Sequence, residues 1–218
     1  MLGKITVNEE LVKKHAYYNN KFFARWAKMY DWEKYFLFPL RRKAAKFFNL
    51  APQKKIIDVA TGTGAQAYEL AKLGLDVTGV DLSPEMLAQA RKKLDPSLLL
   101  SFRQGDGTTM PFGDNSFDGA SISLGLHDMP YEIGVRVLRE IKRVTKRNGG
   151  ILVVDYMEPK KHIVAKFTHP LIKLYETPMY LPFIERGLEK ILMDAGLSIS
   201  RETDFLGISQ IIVALNRK

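Results

Sequence analysis

The chain has 218 residues, a formal net charge of +9 and no cysteine. That length fits one globular domain with additions, long enough to bury a substantial core. The missing thiols exclude disulfides, zinc–thiolate sites and cysteine nucleophiles. No apolar run approaches the ~20 residues that span a bilayer, and the opening MLGKITVNEE has no secretory h-region, so a cytoplasmic location is expected.

The charge is concentrated at the start. Residues 1–48 hold eleven Lys/Arg against four acids, and twelve of the 23 aromatics. Two helices are predicted there, 9–29 and 34–48. In the first, Tyr18, Phe22, Trp26 and Tyr30 recur every fourth residue; Pro39 kinks or delays the second. This segment reads as a helical cap, with a basic aromatic face suited to an anionic surface, lipid or nucleic acid.

From Lys55 the pattern changes to short β-rich runs alternating with helices. Strands are predicted at Ile56–Ala60, Asp76–Val80, Leu98–Arg103, Phe117–Ser123 and Ile151–Tyr156, with helices at Ala65–Leu73, Pro84–Leu94 and Tyr131–Thr145. Such alternation argues for a parallel sheet covered by helices on both faces. Ser83-Pro84 is an N-cap followed by proline at the first helical position, and Asn148-Gly149-Gly150 stops a helix. Residues 157–183, rich in Pro, aromatic and basic residues, read as a lid insertion. A helix over Phe183–Ala195 and two closely joined, antiparallel strands, Ser198–Asp204 and Ile208–Leu215, complete the chain. The domain organisation is then a cap over 1–48 and a core over 49–218.

The loop after the first strand, DVATGTGAQA, carries the chemistry. Gly62 and Gly64 permit a tight turn and close approach of a ligand to the backbone, at the strand ends where open α/β sheets bind ligands. Asp81 follows Gly62 by 19 residues, where an acid accepts ribose hydroxyls. A dinucleotide and an adenosyl sulfonium would both use these features. Asp58 suits a ligand bearing an ammonium group and would repel a pyrophosphate. Gly105-Asp106 offers an acceptor for an adenine amino group, and there is no second glycine loop.

Four segments resemble, in order and spacing, the class I S-adenosylmethionine-dependent methyltransferases: DVATGTG (Asp58–Gly64), VTGVDLSPEML (Val77–Leu87), GDGTTMPFGDNSFD (Gly105–Asp118) and RVTKRNGGILVVDY (Arg143–Tyr156). Within them, PFGDNSFD and Tyr30-Asp31-Trp32 are most similar to the methyltransferase type 11 group, with its ubiquinone and menaquinone C-methyltransferases, and to the phosphatidylethanolamine N-methyltransferases. The resemblance implies a Rossmann-like, mostly parallel seven-stranded α/β sheet with an antiparallel last hairpin. It implies S-adenosyl-L-methionine as cofactor and S-adenosyl-L-homocysteine as product. Asp58 would face the methionine ammonium, and Ala60, Gly62 and Gly64 would line the methionine and ribose path. Asp81 would bind the ribose, Leu82 would lie beside the adenine, Asp106 would meet its amino group with Gly107 supporting that loop, and Ser123 and Leu124 would flank the sulfonium.

Methyl transfer is largely placement of an acceptor in line with the methyl carbon; a base is needed only where the acceptor loses a proton. His127 is the base candidate, oriented by Asp128, although the quinone-pathway enzymes carry a different sequence there. Tyr18 and Tyr30 are further candidates. His15, His162 and His169 read as surface residues, and no metal site is expected. An apolar, basic 157–183 segment suits a small or lipid-like acceptor: a prenylated quinone precursor, a phospholipid headgroup or a small metabolite. Peripheral contact with an anionic membrane fits the basic cap. The alternatives are an RNA-directed methyltransferase, with no recognised RNA-binding module behind it, an NAD(P)-dependent oxidoreductase, and a non-catalytic cofactor-binding protein.

Overall fold

The computed structural model describes residues 8–159 and 177–217, and every side chain among them except those at 19, 20 and 22–36. Five parallel strands, β1 (Lys55–Val59), β2 (Asp76–Asp81), β3 (Leu100–Gln104), β4 (Phe117–Ser123) and β5 (Thr145–Tyr156), are joined by β6 (Ser198–Phe205) and β7 (Ser209–Leu215) in the order β3-β2-β1-β4-β5-β7-β6. β7 runs antiparallel to both β5 and β6. The sheet is therefore the expected mostly parallel one with an antiparallel last hairpin. A dinucleotide-binding sheet has a sixth parallel strand where β7 stands.

The strands bury apolar side chains on both faces, as a covered parallel sheet must. Ile57, Val59, Ile122 and Val153 belong to one core cluster; Ile56, Val77, Leu152 and Val154 belong to the other. Helix α4 (Tyr131–Val144) covers the first face with Ile133, Val137, Ile141 and Val144, spaced three and four apart as one helical stripe requires. Helix α2 (Ala65–Ala71) covers the second with Ala67 and Leu70. Burying each such Leu, Ile or Val side chain contributes roughly 1.5–3 kcal/mol. Helix α3 (Pro84–Arg91) starts as predicted, with Ser83 Oγ accepting from the Met86 N–H at 3.2 Å.

Three boundaries differ from the sequence reading. The two predicted N-terminal helices are one, α1 (Glu9–Phe48), with Pro39 inside it. An internal proline forfeits a hydrogen bond and crowds the preceding turn. Here Leu40, Ala44, Ala45 and Phe48, all buried, pin the helix beyond it to the sheet. Second, β5 starts at Thr145, immediately after α4, so Asn148-Gly149-Gly150 lies within the strand, beside a register shift in its pairing with β4. A Cβ at Gly149 would stand 2.7 Å from the Asp118 carbonyl, so only glycine fits this irregular edge. Third, the predicted helix 183–195 is two, α5 (Tyr180–Arg186) and α6 (Leu188–Asp194), broken at Gly187 with φ +77°. Most of the expected lid segment, 160–176, lies outside the described residues, and with it His162 and His169.

Helix α1 begins with Val12 in the core cluster of the α4 face and ends with Leu40–Phe48 in that of the α2 face. It thus passes from one face of the sheet to the other. A helix of 40 residues is about 60 Å long, ample for that crossing.

Candidate functional site

A cavity of about 1240 Å³, mouth included, lies at the carboxyl ends of the parallel strands. It sits where the strand order reverses on either side of β1, the place where open α/β sheets take ligands. Its wall is built from the loop after β1, the tips of β2 and β3, the segment after β4, Tyr156 at the end of β5, and two stretches of α1.

The β1–β3 side is mainly backbone held by carboxylates. Ala60, Gly62 and Gly64 have φ of +52°, +55° and +77°, and alanine in the left-handed region stores strain of order 1 kcal/mol. A Cβ built on Gly62 would meet nothing within 4 Å, so the backbone there is open to a ligand. One on Gly64 would lie 2.5 Å from the Phe102 ring, so that glycine serves packing as well as the turn. Asp81 ties the turn together: Oδ2 accepts from the Gly62 N–H at 2.7 Å and Oδ1 from the Ser83 N–H at 2.9 Å. Burial pushes its pKa up, opposed by the N–H groups of Ser83, Gly62 and Leu82. Asp106 uses Oδ1 to accept from both the N–H and the hydroxyl of Thr108, each at 2.7 Å.

Asp58 is 1% exposed and stands behind the wall rather than on it. Its carboxylate accepts from Thr61 Oγ1 at 2.5 Å and from Ser121 Oγ. Burial raises its pKa to about 6, against the opposing pull of the Ser121 and Thr61 hydroxyls and the charge of Arg41.

The β4–β5 side is made of side chains. Leu124 adopts φ +54°. The Ser123 hydroxyl is buried, belongs to the wall and has no hydrogen-bond partner among the described residues. His127, 3% exposed, sits in the 3-10 turn Leu126–Asp128. Its Nδ1 is 2.6 Å from Asp155 Oδ1, and its Nε2 is 3.4 Å from Asp128 Oδ2. Asp155, fully buried, also accepts from the Leu126 N–H at 2.9 Å. Tyr156 packs edge-on against the imidazole with ring centroids 4.8 Å apart.

The structure brings Ala60, Gly62, Asp81, Leu82, Asp106, Gly107, Ser123, Leu124 and His127 onto one wall. Asp58 and Gly64 lie just behind it. Tyr18 is 45% exposed, and the side chain of Tyr30 is among those not described. His15 departs from its reading as a surface residue: it lines the cavity, where desolvation lowers its pKa and the charge of Asp106 opposes the shift. Asp155 rather than Asp128 is the nearer partner of His127. Arg41 of α1 was also missed; its only sequence signal was its position in a basic run. Asp81, Asp106 and Asp128 on the wall, with Asp58 behind, give the cavity a negative field. That suits a ligand carrying a sulfonium and an ammonium and opposes a pyrophosphate. The described residues contain no cluster of His, Cys, Asp and Glu able to hold a metal.

Comparison with known proteins gives the same direction. Residues 57–154 match the sequence family described as a methyltransferase domain. The chain is 36% identical over 152 residues to a demethylmenaquinone methyltransferase of Corynebacterium efficiens, covering 69% of this chain and 57% of that one. It is 38% identical over 151 residues to the enzyme of that name from Chlorobaculum parvum, covering 69% and 56%. The chain thus spans little more than half the length of these relatives. Its fold resembles a chain of the complex between the Haloferax volcanii Trm112 methyltransferase activator and a methyltransferase, with a TM-score of 0.74 and 19% identity, over 91% of this chain and 97% of that one.

Proposed function

We propose, from the premise that residues 57–154 belong to the methyltransferase domain family, that this protein transfers a methyl group from S-adenosyl-L-methionine to a prenylated quinone precursor in its reduced, hydroxylated form. The observation that carries this reading is a single cavity. At one end Asp81 and Asp106 flank an open glycine backbone; at the other stand Ser123, His127 and Tyr156. The named activity of the relatives supports the acceptor class.

The cofactor supplies an electrophilic methyl group on a sulfonium. The chain's residues bind, orient and manage one proton. Asp81, which holds the Gly62 loop, would accept the ribose hydroxyls, Leu82 would lie beside the adenine, and Asp106 would offer Oδ2, the oxygen its own turn leaves unused, to the adenine amino group. Asp58 would act through its charge on the ammonium beyond Thr61. Ser123 and Leu124 would flank the reacting centre. The hydroxyl beside the acceptor carbon would give its proton to His127, which makes that carbon nucleophilic, and the ring proton displaced on methylation would return to that oxygen, so one proton leaves in all. Donation of Nδ1–H to Asp155 leaves Nε2 of His127 as the proton-accepting atom; Asp128 Oδ2, on that side, then faces the imidazolium. Helix α1, crossing the cavity with Val12, Ala16 and Leu37 on its wall, keeps water away.

The opposite face of α1 exposes Lys13, Lys14, Tyr17, Tyr18 and Lys21, with Lys21 Nζ 5.4 Å from the centre of the Tyr17 ring. Lysines around half-exposed tyrosines suit the interface of an anionic membrane, the source of a prenylated acceptor.

The test is transfer of labelled methyl from S-adenosyl-L-methionine to demethylmenaquinol in detergent micelles, beside calorimetry with S-adenosyl-L-homocysteine and NADH. Labelled quinol is the expected product. Homocysteine-adduct binding without labelled quinol would sink the acceptor class, and binding of NADH in its place would sink the cofactor.

A further inference from the structure

Among the described residues of the cavity wall, Arg41 is the only Lys or Arg; three aspartates share the wall with it. It stands one helical turn after Leu37, also on the wall, on the part of α1 anchored by Leu40 and Ala44. Its own carbonyl accepts from Gln66 Nε2 at 3.3 Å, which fixes this turn against the start of α2. Its charge reaches Asp58 and helps that buried carboxylate ionise. A cation on the wall and a carboxylate behind it therefore act together at the glycine-loop end of the cavity.

An α-amino acid presents the complement: an ammonium and a carboxylate on one carbon. The carboxylate would enter a cavity already bearing three acids and lose its hydration there, which is strongly unfavourable without a cation. Arg41 is the group able to supply one, and a guanidinium meets a carboxylate with two parallel hydrogen bonds. We infer that Arg41 binds the α-carboxylate of the methionine end of the cofactor, so that α1 is part of the cofactor site as well as its cover. This assignment rests on the cofactor reading given above. A guanidinium present only to balance Asp58 would affect the fold, or every ligand equally.

Calorimetry with two ligands separates these cases. S-adenosyl-L-homocysteine carries the amino acid; 5′-methylthioadenosine has the same nucleoside without it. Arg41→Gln is expected to weaken the first by roughly 10- to 100-fold, the range for losing a charge-assisted hydrogen-bonded pair, and to leave the second unchanged. Arg41→Lys, which keeps the charge but not the paired geometry, falls between, and it carries the comparison should the glutamine variant melt out. Equal loss for both ligands, or loss for neither, overturns the assignment while leaving the cofactor reading intact. A wild-type protein that binds neither ligand overturns both.

Discussion

Around the tips of β1, β2 and β3 the cavity wall is backbone, shaped by positive φ angles and held by carboxylates that accept from N–H groups close by in the chain. Around the tips of β4 and β5 it is side chains: an imidazole between two aspartates, a serine hydroxyl and a tyrosine ring. The first region is specified by residues near one another in sequence. The second is assembled by β4 and β5 lying side by side, which brings Asp155 to His127 across 28 residues of chain. A carboxylate that holds backbone makes a fixed receptor for an invariant ligand; a side-chain cluster can be refitted to a new acceptor without disturbing it.

The largest expected effect tests that division directly. His127→Ala should lower the rate of methyl transfer to the quinol by roughly 10²- to 10⁴-fold, the usual contribution of a positioned base, while S-adenosyl-L-homocysteine affinity measured by calorimetry stays within a factor of about three. A comparable loss of cofactor affinity would merge the two regions and make His127 a structural residue.

Next comes the stability that Asp58 sets. Burial holds its pKa at about 6 in the folded protein against an ordinary 3.8 in the unfolded chain, so between these values the native state binds more protons than the unfolded one. Stability from this group is full below the lower value and is lost as pH rises through about 6. The loss amounts to about 3 kcal/mol at neutral pH. Asp58→Asn should remove that trend: denaturant titrations at pH 4.5 and pH 7.5 should differ less for the variant than for the wild type. A cationic ligand favours the ionised carboxylate, so wild-type cofactor affinity should fall as pH drops below 6. An unaltered pH profile in the variant would mean the charge sits elsewhere.

Asp81→Ala removes the carboxylate proposed to accept the ribose hydroxyls and also releases the Gly62 and Ser83 N–H groups. Cofactor affinity should drop about 100-fold, by analogy with losing hydrogen bonds to a charged group, and the melting temperature should fall with it. An Asp81→Ala protein that binds normally would show that the glycine loop stands without its carboxylate.

The smallest effect concerns the outer face of α1. Charge reversal at Lys13 and Lys21 should reduce sedimentation with phosphatidylserine vesicles, by about 1 kcal/mol for each basic charge removed, without changing turnover of a detergent-dispersed quinol. Vesicle binding that survives reversal would place the contact away from this helix.

The backbone-built region was legible in the residue string because each part is a local event. A strand ending in Asp58, a turn needing glycine, an acid 19 residues on and a Ser-Pro cap lie within a single βαβ unit. Asp155 hid as the penultimate residue of an apolar strand, where alternation alone reads as burial. Arg41 hid in a basic run, where charge reads as solvated surface. His15 looked isolated because its neighbour Asp106 belongs to a distant loop. The helix runs on through the break predicted at 30–33 and also through Pro39, where the proline's local cost is outweighed by packing of the four buried residues after it.

Hydrophobic periodicity, glycine placement and caps act over one or two turns of chain, so the amino-acid order alone fixed the alternating architecture, the antiparallel last hairpin and the loops suited to an adenosyl ligand. Which face of α1 meets the cavity, which acid seats His127 and which cation's charge reaches Asp58 depend on segments brought together only when the sheet closes and water leaves. Those pairings are set by distance and desolvation, and neither exists until the tertiary structure forms.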